Sequence, residues 1–170
     1  MNLARRTALS YLVLATVLLV SGCGGAKTPP PPLCPRVGII NGLENHEQQG
    51  SDGQLAYRAA LENVDGACKT DGADLVVEVA IDVVLQPGPA LTGSLVEVPY
   101  FVAVSGPGEE LLGRQDFVAR IEVARGARRA GVVETFRQRF VGRQAGASQY
   151  EVLFGLSLPE AEAMRQYQNR

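Results

Sequence analysis

The chain has 170 residues, of which 46% are apolar and 20% charged, enough for one domain with a real core. Sixteen basic side chains against eighteen acidic ones, a formal charge of −2, exclude a nucleic-acid binder that works by bulk charge. One histidine and three cysteines without a C-x-x-C spacing exclude the common zinc and redox motifs.

In chain order, the first element is Met1-Asn2-Leu3-Ala4-Arg5-Arg6, a positive start. The apolar stretch Ala8 to Val20 follows, too short to span a bilayer comfortably. Small residues then precede a cysteine in Leu19-Val20-Ser21-Gly22-Cys23. This stretch resembles the lipobox of bacterial lipoproteins. The resemblance implies cleavage before Cys23, acylation of its thiol and acylation of the new amino terminus. Several acyl chains make such an anchor stable, at about 0.8 kcal/mol per buried methylene. Competing readings of the same residues are an ordinary secretory signal and an amino-terminal membrane helix. Cleavage takes the formal charge from −2 to −4, since both charges lost, Arg5 and Arg6, are positive.

Gly24 to Leu33 contains the run Pro29 to Pro32 and no core-forming pattern. Polyproline geometry makes it a spacer of about 30 Å at most. The expected organisation is a signal peptide over 1–22, an acylated cysteine and tether over 23–33, and one domain over 34–170. Gly24 stands where lipoproteins retained at the inner membrane of enteric bacteria carry aspartate, so the resemblance favours the outer membrane, with the domain in the periplasm. That compartment is oxidising, and with Cys23 acylated, Cys34 and Cys68 are left to form a disulfide. A loop of that length is stabilised by roughly 3 to 4 kcal/mol in the chain-entropy model.

Within the domain, a short strand is expected over Val37 to Ile40, followed by an acidic, amide-rich loop from Gly42 to Gly53. Tyr57, Ala59 and Leu61 alternate in a second strand that runs on to Cys68, and Asp71-Gly72 has turn chemistry. The clearest periodicity comes next. Leu75, Val77, Val79, Ile81, Val83 and Leu85 form one apolar row at period two, and this long strand pairs with the preceding one. Gln86-Pro87-Gly88-Pro89 ends it, and a loop continues through Thr92-Gly93-Ser94.

A strand over Tyr100 to Val104 follows, with Pro99 at its start or on a sheet edge. A turn at Ser105-Gly106-Pro107-Gly108 leads into Leu111 to Val123, with Phe117, Ile121 and Val123 on one face. Arg125 to Arg128 reads as a turn. From Arg129 to Val141, the spacing of Val132, Phe136 and Phe140 suits a strand face or a helix stripe, and the neighbouring strands favour a strand. The last strand is Tyr150 to Leu156, and a short helix starts near Pro159, with Ser157 as its cap.

Seven strands with a turn about every ten residues predict an all-β, two-layer antiparallel sandwich of immunoglobulin-like architecture, a small antiparallel barrel being the alternative. The segments Cys34-Pro35-Arg36-Val37, Tyr100 to Val104 and Tyr150 to Leu153 are similar to small lipoproteins of alphaproteobacteria. That likeness implies fold and location and carries over no functional residue.

Chemistry-bearing motifs are few. His46 lies in Glu44-Asn45-His46-Glu47 with no second histidine at ligand spacing, and it reads as a solvated loop residue. Gly106-Pro107-Gly108 is a turn whose proline lacks an N–H that a phosphate cradle needs. Glu109 and Glu110 sit in a turn, and Asp65, Asp71 and Asp74 lack the alternating spacing of a calcium loop. No catalytic residue, metal site or cofactor is expected. Seven arginines between Arg120 and Arg143 stand out, opposed there only by Glu122 and Glu134. If 114–141 forms a hairpin, Arg125, Arg128 and Arg129 crowd its tip, and Arg137 and Arg139 share a strand face. Such a patch suits an anionic envelope polymer or an acidic protein surface, and a solvated strand face explains the same residues. The expected function is a non-enzymatic binding or assembly module of the cell envelope. A lipid or small-ligand carrier and an envelope hydrolase using carboxylates are the alternatives.

Overall fold

A computed structural model describes residues 34–142, 146–160, 164 and 168. The expected signal peptide, the tether and the acylated Cys23 lie outside the described residues. Eight strands follow in order: β1 Arg36–Ile39, β2 Asn45–Gln49, β3 Leu55–Asp71, β4 Asp74–Pro87, β5 Leu95–Ser105, β6 Leu111–Glu122, β7 Ala130–Phe140 and β8 Glu151–Leu156. They make two four-stranded sheets, ordered β1-β8-β5-β6 and β2-β3-β4-β7. Neither sheet closes into a barrel, and the two pack as a sandwich around one core. The likeness to immunoglobulin domains is one of layering.

The core follows from period two. On β4, Leu75, Val77, Val79, Ile81, Val83 and Leu85 all point inward and are buried. They pack with Val96, Val98, Tyr100 and Val102 of β5, Ala119 and Ile121 of β6, and Val152, Phe154 and Leu156 of β8. Each such side chain contributes about 1.5–3 kcal/mol by leaving water. The outward side of β4 is less wet than its polar residues suggest. Val76 is buried there because it lies in register between Lys69 and Arg139, whose aliphatic stems flank it.

Cys34, just before β1, is bonded to Cys68 of β3, with the Cα atoms 5.8 Å apart. The bond ties the edge of the first sheet to the second. Close approach of the backbones is possible because β3 carries Gly66, where a Cβ would meet Val37 Cγ2 at 2.7 Å. A register shift between Glu62 and Asp65, with Asn63 at φ 49°, bends β3 at this point.

Several expectations need correction. The loop expected over Gly42 to Gly53 contains β2, which pairs with β3 from Asn45↔Ala60 to Gln49↔Leu55. It is a polar edge strand held by backbone hydrogen bonds, so it lacks the apolar alternation that marks its neighbours. His46 therefore sits on a strand, its ring edge-on to Tyr57 at 6.5 Å. The pairing of β1 with β8 is parallel, an exception in otherwise antiparallel sheets. Pro99 lies within β5, a central strand, and not at a start or a sheet edge. Its carbonyl accepts a hydrogen bond from Ser157 N at 3.0 Å, so its missing N–H faces the same flank, just beyond the last β5–β8 pair, Tyr100↔Leu156.

The segment 129–141 is a strand, as its neighbours suggest, but β6 and β7 do not form a hairpin. They are edge strands of opposite sheets, and the connection crosses from one layer to the other. The cause is β4, whose free flank pairs with β7 over eleven residues, from Leu75↔Phe140 to Leu85↔Ala130. Beyond β8, residues 160, 164 and 168 are helical, and the rest of the expected terminal helix lies outside the described residues. Ser157 Oγ is buried with no hydrogen-bond partner among the described residues, so it does not serve as the expected cap.

Candidate functional site

Along one side of the sandwich, the edge strands β6 and β7 face each other across the gap between the sheets. Where both rows carry large apolar residues the gap is filled. Phe117 meets Phe136 edge-on at 6.0 Å, Phe136 meets Phe154 at 6.1 Å, and Tyr100 stacks on Phe117 at 5.3 Å. The Tyr100 hydroxyl donates to Glu134 on β7 at 3.3 Å. Burial first, then the Glu134 charge, holds the Tyr100 phenol far above its ordinary pKa.

Further along, the inward row of β6 changes to Gln115 and Gly113, and that of β7 to Gln138 and Phe140. Gly113 leaves open space where a side chain would stand. The result is a groove of about 440 Å³ between the sheets. Val102, Val104, Phe136, Phe140 and Tyr150 give it an apolar wall, Gln115 and Gln138 supply inward amide groups, and Arg114 and Arg139 border it with their guanidinium groups on the outward faces of the sheets. Leu112 and Val141 at its lip are 50% and 72% exposed. Its volume lies within the usual range for small-molecule and side-chain pockets, roughly 300–1,000 Å³.

The polar groups of the lining are held in place. Arg114 lies 3.8 Å over the Phe101 ring and donates to Asp116 at 2.8 Å. Arg139 donates to Asp71 at 2.7 Å and to Asp74 at 2.9 Å, and the Gly142 N–H also donates to Asp74. The Gly142 hydrogen bond, then Arg139, lowers the Asp74 carboxyl below its ordinary pKa. The Gln115 and Gln138 amides can each donate and accept hydrogen bonds, and Tyr150 lies in the same lining.

The five arginines singled out in the sequence do not form one patch. Arg125, Arg128 and Arg129 lie at the crossover before β7, and Arg137 and Arg139 on its outward face toward the other end. Ten residues of strand separate Arg129 from Arg139, about 33 Å. Most of their charge is also met within the sheet. Arg129 pairs with Glu62 at 2.7 Å, Arg137 with Glu78 at 3.6 Å, and Arg139 with Asp71 and Asp74. Arg125 and Arg128 have no acidic partner among the described residues, and Arg143 lies outside them. Glu109 and Glu110 lie in and just beyond a short 3₁₀ turn over Pro107–Glu109. Among the described residues, no three acidic, histidine or cysteine side chains converge as metal ligands.

Reading the sequence for strands and for charge missed the groove. A signal was present: Gly113, Gln115 and Gln138 fall at inward positions of strands whose other inward residues are mostly apolar. No protein-family model, no curated protein and no solved structure matches this chain.

Proposed function

We propose that the chain is a lipid-anchored periplasmic binding module, which positions another component of the cell envelope without turning it over. The lipobox at Cys23 supports the address, and Gly24 favours the outer membrane. The groove between β6 and β7 carries the binding reading: an apolar wall with the amide groups of Gln115 and Gln138 beside it. Such a lining takes an apolar group flanked by hydrogen-bonding groups, as in an acyl chain with its head group or an apolar side chain on a partner's backbone. A carrier of lipid or a small ligand is the second reading, favoured by the volume of the groove. The exposed lip residues Leu112 and Val141 suit an occupant that remains partly outside.

Filling the groove tests the reading. Gly113→Phe places a ring in open space and is expected to change stability by no more than about 0.5 kcal/mol, as surface substitutions do. The native chain should enhance the fluorescence of the apolar probe phenylnaphthylamine. Gly113→Phe should abolish that enhancement, and Thr135→Phe, on the outward face of β7, should retain it. No enhancement with the native chain, or the same enhancement with Gly113→Phe, would refute the groove as the binding site.

A further inference from the structure

β6 is a long free edge of the first sheet, and its exposed row reads Leu112, Arg114, Asp116, Val118, Arg120 and Glu122. From the alternation of these side chains we infer that β6 pairs with β6 of a second copy of this chain, antiparallel about a two-fold axis at Val118, to form a continuous eight-stranded sheet.

The backbone restricts the possible registers. Val123 N donates to Ser94 O at 2.7 Å, next to the pair Leu95↔Glu122, so odd-numbered β6 residues point their N–H and C=O groups at β5. The even-numbered residues from 114 to 122 point theirs at the free edge. A second β6 strand must therefore pair even residues with even residues. Centring on Val118 sets Asp116 opposite Arg120 of the second copy and Arg114 opposite its Glu122. Repeated by the two-fold axis, this makes four opposite-charge pairs. Neighbouring registers fail. Centring on Phe117 opposes Arg114 to Arg120, centring on Ala119 opposes Asp116 to Glu122, and centring on Asp116 opposes that residue to itself.

The middle of the interface is apolar. Val118 is 52% exposed although its side chain stands beside Pro99 on β5. In the pair, the row becomes Pro99, Val118, Val118 and Pro99. Arg120, which already bonds Glu97 at 3.0 Å, stands between Glu97 and Asp116 of the second copy, so no charge need give up its present partner across the strand. The other edges lack this pattern. β1 and β2 have four and five residues. The exposed row of β7 carries only the cations Arg137 and Arg139, already paired within their own sheet. Pairing at β6 uses backbone edge groups and the outward row, of which Leu112 and Arg114 also border the groove while the central Asp116, Val118 and Arg120 do not.

Val118→Cys in the full-length chain, oxidised in its own membrane, tests the register. A hydrogen-bonded antiparallel pair holds its Cα atoms about 5.5 Å apart, within disulfide range. The expected result is a reducible dimer above the background of the parent chain, whose cysteines are Cys23, Cys34 and Cys68. Arg120→Asp should lower its yield about ten-fold by opposing like charges twice, and Glu122→Arg should do the same at the outer pairs. Adding Asp116→Arg to Arg120→Asp should restore it. Val133→Cys on β7 should stay monomeric. No dimer with Val118→Cys, an equal yield from Val133→Cys, yields unmoved by both charge reversals, or failure of the double exchange to restore the dimer would each overturn the proposal.

Discussion

The Tyr100 hydroxyl and the Glu134 carboxylate form a polar contact inside an aromatic cluster, and their energetics follow from burial. The phenol is raised chiefly because its charged form would be desolvated, and next because Glu134 is negative. A tyrosine that titrates later in the folded state than in the unfolded one stabilises fully below the unfolded value, about pH 10, and that contribution falls as pH rises above it. Tyr100→Phe should therefore flatten the loss of stability above pH 10, measured by urea unfolding at a series of pH values. It should also cost about 1 kcal/mol at neutral pH, since Glu134 loses its donor. Alternation in the sequence marked Tyr100 as the start of a strand, but not its partner. Glu134 meets Tyr100 only because β7 lies across the layers from β5, a placement that neither residue's local neighbours encode.

At the scale of elements, β4 was the most legible because burial on one face imposes period two over its whole length. β2 was not legible, since Asn45-His46-Glu47-Gln48-Gln49 is kept in place by backbone bonds to β3 and not by its side chains. The contact of β1 with β3 leaves no room for a side chain at position 66. Val37 is β-branched and cannot swing away from a new methyl group at position 66, and its neighbour Cys34 is anchored by the disulfide. Gly66→Ala should destabilise the domain by about 1–3 kcal/mol in thermal or urea unfolding, through overpacking. Val37→Ala in the same chain should recover part of that loss. In sequence Asp65-Gly66 reads as part of a strand that runs on to Cys68, and only the packing of β1 over β3 shows Gly66 to be a site of close approach.

For the whole molecule, the address and the fold have different origins. Cys23→Ala should shift the protein from the membrane fraction to the soluble fraction, measured by fractionation and by loss of acylation, and continued membrane association would count against lipidation. Tethering would also favour the β6 pairing, because two copies held to one surface meet at a higher effective concentration than in solution. The sequence by itself determined the all-β class and most strands, because alternation and turn residues are local signals that survive without knowledge of partners. It also carried the Cys34–Cys68 pair, because once Cys23 is set aside no other two cysteines remain. Only the tertiary structure decided that β6 and β7 part into opposite sheets, that Arg129, Arg137 and Arg139 meet acidic partners within their own sheet, and that Gly113 and Gln115 face Gln138 across a groove. Those outcomes depend on which strand takes the free flank of β4, a long-range competition for backbone hydrogen bonds that no local pattern records.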